Sequence, residues 1–117
     1  ISDLVGESIG TLVFVFFILL VTNEVTTFST NTLTTWSCIA GALYIGRHYA
    51  IRSGGCLNPG VALGMQIVSM SWQGDQYVFK RTWVYAIGPF LGGYLAGKLF
   101  DRYLKAFVRM KRERDQL

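Results

Sequence analysis

From Ser8 to Asn23 no residue carries a charge, and Glu7 and Glu24 bound the gap. The surrounding stretch from Leu4 to Thr22, LVGESIGTLVFVFFILLVT, has 19 residues, which as a helix span roughly 29 Å, the thickness of a bilayer's hydrocarbon core. A transmembrane helix is predicted over 4–22. Composition points the same way, because 51% of the 117 residues are apolar and 15% are charged, against about 25% charged in a soluble domain. Such a chain lacks the polar surface to cover itself in water. Two prolines and two cysteines exclude a collagen-like repeat and a disulfide framework, and the apolar content excludes intrinsic disorder. Cys38 and Cys56 sit in apolar surroundings and are expected to be free thiols.

A Thr-rich stretch (Thr26 to Thr32) leads to a second uncharged segment from Leu33 to Gly46. It is less apolar than the first, as suits a helix with one face on protein or water, and a second span is predicted over 31–50. Residues 53–74 are again uncharged, but Gly54-Gly55 and Asn58-Pro59-Gly60 interrupt a continuous helix. Irregular backbone survives at membrane depth only where protein or a water-filled cavity satisfies it. The segment reads as a re-entrant loop turning into a short helix over 59–70, with Pro59 at the favoured first helical position. A polar break, Gln73-Gly74-Asp75-Gln76, and Lys80-Arg81 precede a last span over 82–104. It bears Gly88/Gly92 and Gly93/Gly97, two small-residue pairs at the spacing that lets membrane helices approach closely. The expected fold is an all-α membrane protein: three spans and one re-entrant half-helix within 1–104, then a basic tail over 105–117.

Glu7 is the residue that most needs explanation. A carboxylate in a span costs about 2.5–3.5 kcal/mol on insertion scales and requires a partner. The irregular loop from Ser53 through Gly54 and Gly55 to Asn58 offers backbone N–H donors, so Glu7 is predicted to hold it.

Four features now stand in order: Glu7-Ser-Ile-Gly-Thr-Leu-Val, Ser53-Gly-Gly, Asn58-Pro-Gly-Val-Ala-Leu-Gly64, and Trp83-Val-Tyr-Ala-Ile-Gly-Pro-Phe-Leu-Gly-Gly93. Together they resemble the major intrinsic proteins, the aquaporins and glycerol channels, over about residues 4–104. In that family the first helix of a repeat opens with such a glutamate, the re-entrant loop carries Ser-Gly-x-x-x-Asn-Pro-Ala, and the sixth helix carries a Gly-Pro. The resemblance implies a passive channel for water or small neutral solutes, built from two inverted repeats whose Asn-Pro-Ala loops meet at the midplane. Half-helix N-termini there disfavour cations, and Asn58 would offer its amide to a permeant hydroxyl.

This chain departs from the pattern in three ways. It holds one repeat, so a second is needed for a pore. Its motif ends in Gly60 rather than Ala, at up to about 1 kcal/mol of helix propensity. The loop is like that of a first repeat and the last span like that of a second. Taken as the C-terminal half, its filter-equivalent positions are Val61, where the family has Arg, and Gly46, where water-selective members have His. The alternative is a non-conducting structural subunit of a larger membrane complex, respiratory or other.

The remaining residues have plainer readings. Arg47, His48 and Arg52 are basic residues that either snorkel at an interface or line a pore mouth. A single histidine without suitably spaced thiols gives no metal site, no nucleophile is paired with a base, and no cofactor or enzymatic activity is expected. Trp36, Trp72, Trp83 and Tyr77 suit an interfacial belt. Six basic and two acidic residues between Arg102 and Leu117 account for the whole net charge of +4. A basic run beyond a span contacts anionic lipid or marks the retained side more often than it binds nucleic acid, and a cytoplasmic or matrix side is expected for it. The expected partners are the bilayer and a second repeat or other membrane subunits. The chain begins at Ile1 without a charged leader, as expected of a processed product, a fragment or the ordered part of a longer protein.

Overall fold

The computed structural model describes residues 1–74 and 76–116; Asp75 of the polar break and Leu117 of the tail lie outside them. Four α-helices, α1 (Ser2–Thr22), α2 (Thr32–Tyr49), α3 (Pro59–Gln73) and α4 (Thr82–Asp115), are joined by loops and by 3₁₀ turns at Ile51–Ser53 and Gln76–Arg81. No strand occurs among the described residues. The chain is all-α.

Local chemistry sets each boundary. Asp3 lies in the first turn of α1, where a carboxylate complements the helix dipole. That helix ends at Asn23, whose Oδ1 accepts from the Val25 N–H and turns the chain. Asn31 caps α2 by accepting from the Thr34 N–H at 3.1 Å. Asn58 caps α3 ahead of Pro59, and Gly74 ends it in the left-handed conformation at φ 68°.

Two helix pairings build the body. α1 and α4 run parallel: Arg81 meets Asp3 at 2.6 Å, Gly88 lies against Glu7, and Phe100 and Tyr103 both stack edge-on against Phe16 with centroids 6.2 Å apart. α2 runs back along α1. At their crossing a Cβ on Gly46 would come within 2.6 Å of the Gly10 carbonyl oxygen, and one on Gly10 would overlap the Gly46 carbonyl. The two backbones touch, which only paired glycines permit. On α4 the buried row is Val84, Gly88, Gly92, Ala96 and Phe100, each four residues from the last. The helix passes through Pro89.

Two extents differ from the sequence expectation. α3 continues three residues beyond 70, to the left-handed Gly74. α4 does not stop at 104 but runs to Asp115, 34 residues or about 51 Å, so the basic tail is the last third of a helix. Its Lys, Arg, Glu and Met are good helix formers, and Lys105 bonds Asp101 one turn back at 2.7 Å in the favourable acid-before-base order.

Among the described helices, α1 alone is both long and apolar enough to cross a membrane by length and composition. The molecule is a slab of 66 × 30 × 18 Å, too thin to bury its apolar side chains. Trp72, Leu33, Tyr44 and Phe90 are among many that stand exposed.

Candidate functional site

The loop between α2 and α3 is threaded down the side of α1. Its backbone turns left-handed at Gly54 (φ 98°), Gly55 (φ 63°) and Leu57 (φ 54°). At Gly55 a side chain would also be tight, since a Cβ would sit 3.0 Å from the Arg47 carbonyl oxygen. Leu57 adopts this conformation without being glycine, at roughly 1–2 kcal/mol.

Glu7 is the anchor, and among the described residues it is the one large side chain that is fully buried. Its Oε1 accepts from Ser53 Oγ at 2.6 Å and from the Cys56 N–H at 3.2 Å, and its Oε2 accepts from the Leu57 N–H at 2.8 Å. Charge-assisted hydrogen bonds of this kind contribute about 1.5–3 kcal/mol each. Two further bonds clamp the loop. Thr11 Oγ1 donates to the Leu57 carbonyl at 3.4 Å, and Tyr85 Oη on α4 donates to the Ser53 carbonyl at 2.5 Å. The Leu57 side chain is buried between Gly10 and Gly46, so one residue joins the loop to the α1–α2 crossing.

The clamp brings Asn58 level with Thr11, halfway along α1. Asn58 Oδ1 accepts from the Gly60 and Val61 N–H groups at 2.8 and 3.3 Å. Those bonds consume the oxygen and leave the side-chain NH₂ on the exposed side, next to the positive end of the α3 dipole. α3 then climbs back toward the start of α4, where buried Gln66 donates to the Val78 carbonyl and accepts from Thr82, both at 3.0 Å. An open cleft of about 430 Å³ lies behind the loop between α3 and α4, with Ser53, Gln66 and Tyr85 in its wall and Lys80 at its edge.

Glu7, Ser53, Gly55, Asn58, Pro59 and Gly60 thus lie along one loop and its anchor, and Gly54 forms the outer turn. Gly88 and Gly92 meet α1. Gly93 and Gly97 do not, having no neighbouring atom within 4 Å of a built Cβ; Ala96, fully buried, takes the next contact after Gly92. Val61 is half exposed beside Asn58. Gly46, placed by spacing at a filter position, is buried in the crossing with Gly10, because the loop sinks deep enough to lay Leu57 over it. Arg47, His48, Arg52, Lys80 and Arg81 gather at the end of the molecule where α1 begins. Thr11, Leu57, Tyr85 and Gln66 complete the site with no motif to mark them in the sequence. The polar residues among them have the one visible signal, a hydrogen-bonding group in an apolar segment.

The sequence model of the family described as Major intrinsic protein matches residues 1–100. A rice (Oryza sativa subsp. japonica) protein named probable aquaporin TIP1-1 is 40% identical over 48 residues, 41% of this chain and 16% of that protein. The aligned part is about a sixth of the relative's length. No solved structure matches the chain significantly.

Proposed function

Given that the chain belongs to the major intrinsic protein family, and is therefore an integral membrane protein, we propose that it forms one repeat of a passive channel for water or small neutral solutes and needs a second repeat to complete the pore. The observation that carries this reading is the Asn58 amide. It is fixed halfway along α1 by a loop clamped to Glu7, with its oxygen committed to the helix cap and its NH₂ free to donate. In this reading α1, α2 and α4 cross the bilayer, and the 50–74 segment enters it from one side and returns.

A passing water or hydroxyl gives its lone pair to Asn58 and so orients its own protons away from the α3 N-terminus, whose partial positive charge repels cations. No enzymatic step is involved. With Val61 where the family has Arg, and Gly46 buried in the α1–α2 crossing, neither filter-equivalent position supplies a cation, which favours a wide selectivity for small neutral solutes. The family match speaks for a channel, and no observation supports the structural-subunit alternative. The basic end of α4 lies on the cytoplasmic or matrix side by the excess of Lys and Arg there.

Asn58→Asp is the discriminating variant. Aspartate caps a helix as well as asparagine does, so the fold persists, but the donor becomes an acceptor. In membrane vesicles in which the chain is assembled with a second repeat, stopped-flow light scattering should show water permeability falling about tenfold or more in the variant, the scale of one lost hydrogen bond to a charged-dipole site. Unchanged permeability with intact expression would remove Asn58 from the path.

A further inference from the structure

The continuation of α4 past its neighbours gives the basic segment a geometry that its sequence alone does not show. At 100° per residue, Lys98, Arg102, Lys105, Arg109 and Arg112 succeed one another at steps of four, three, four and three residues and form one straight stripe. The opposite side of the same turns carries Phe100, Tyr103 and Phe107. Phe100 and Tyr103 bear on Phe16 of α1, and Phe107 stacks on Tyr103 with centroids 6.0 Å apart. The stripe therefore points directly away from α1.

Charge pairing leaves most of it unused. Lys105 bonds Asp101 at 2.7 Å, and among the described residues Arg102, Arg109 and Arg112 make no ion pair. A shallow groove of about 640 Å³ runs along the stripe. Leu104 and Val108 form its apolar floor, Lys105, Arg109 and Arg112 its cationic side, and Asp101 and Glu113 also border it.

Depth decides what this surface meets. Phe16, level with Phe100 and Tyr103, lies six residues before the end of α1, which places Arg102 about 9 Å below that end. Lys98 and Arg102 thus start inside the apolar zone and snorkel outward, while Arg109 lies near the level where α1 ends. Arg112 stands a turn further out, within a Debye length at physiological salt. A rigid cationic ladder that passes from hydrocarbon through the headgroup layer, with an apolar floor between its rungs, is complementary to acidic headgroups attached to acyl chains.

We propose that this stripe on α4 is a binding surface for anionic phospholipid. The protein, purified in neutral detergent and offered equimolar phosphatidylglycerol and phosphatidylcholine, should retain phosphatidylglycerol about tenfold in preference by native mass spectrometry, since each basic residue at an anionic surface adds to the attraction before screening. The preference should vanish in the Arg102→Gln, Lys105→Gln, Arg109→Gln, Arg112→Gln variant and survive in Lys111→Gln, Arg114→Gln, whose positions lie on the other side of the helix. Circular dichroism establishes that both variants are folded, and for the unaltered protein a several-fold rise in ionic strength should remove the preference without any substitution. Equal retention of the two lipids, or equal loss of preference in both variants, overturns the proposal. A chain indifferent to phosphatidylglycerol that binds a polyglutamate peptide through the same four residues would assign the stripe to an acidic protein instead.

Discussion

A carboxylate taken wholly out of water survives only if every lone pair that matters is engaged, and Glu7 meets that condition with three donors drawn from residues 53–57. Glu7→Gln keeps the shape but supplies an NH₂ where a backbone N–H now donates, so one buried donor loses its acceptor. The loss is about 2 kcal/mol, and amide exchange at Cys56 and Leu57 should accelerate ~30-fold while exchange in the middle of α2 stays as it was. Leu57 gives a second test, through an inverted rank order. Truncation to Ala removes packing between Gly10 and Gly46 and retains the left-handed strain. Leu57→Gly removes the same packing but relieves the strain, so it should be the milder of the two by about 1 kcal/mol, contrary to the usual penalty for glycine. Thermal unfolding midpoints of the two variants decide it. A lower midpoint for Leu57→Gly would show that the backbone there is not strained.

At the scale of elements, the α1–α4 contact selects one row of small residues and ignores another. Gly92 has the Ser8 carbonyl and the Thr11 Cβ where a side chain would go, whereas Gly97 has open space. Gly92→Leu should therefore separate α1 from α4 and abolish the folded monomer, overpacking here falling on backbone rather than on a movable side chain. Gly97→Leu should leave the near-ultraviolet circular dichroism of the chain unchanged, and a collapse of that signal would place α1 on the wrong face. From the sequence, two glycine pairs at the same spacing were indistinguishable, because periodicity gives a row and the crossing angle, which chooses among rows, depends on the partner helix. The loop was more legible. An isolated carboxylate in an uncharged run and an Asn-Pro after a Gly-Gly identify donor and acceptor by chemistry alone. Leu57 was illegible because a left-handed leucine has no sequence mark, and Tyr85 because an aromatic near a helix start looks the same whether its hydroxyl is bonded or wet. The sequence does not mark the tail as helical, because charge signals solvent, and solvent exposure does not end a helix made of Lys, Arg and Glu.

As a whole, the molecule is a thin slab, and in the proposed reading it supplies one wall of a path. Asn58 is exposed, as are Val61 and Met65 beside it on α3, and a conducting pore needs those groups enclosed. Liposomes containing these 117 residues by themselves should show no water permeability above that of the lipid, as measured by stopped-flow shrinkage. Rapid shrinkage that Asn58→Asp eliminates would mean that copies of the chain close the path among themselves. The clamp at Glu7 also has a consequence for synthesis. Its acceptors engage groups 46 to 50 residues further along the chain, and at ~5–20 residues per second a ribosome takes roughly 2–10 seconds to deliver them. Tyr85, which ties the same loop to α4, emerges later still. For that interval α1 holds a carboxylate with no partner of its own, which keeps that turn of the helix in contact with water, and its final seat is settled only when the loop arrives.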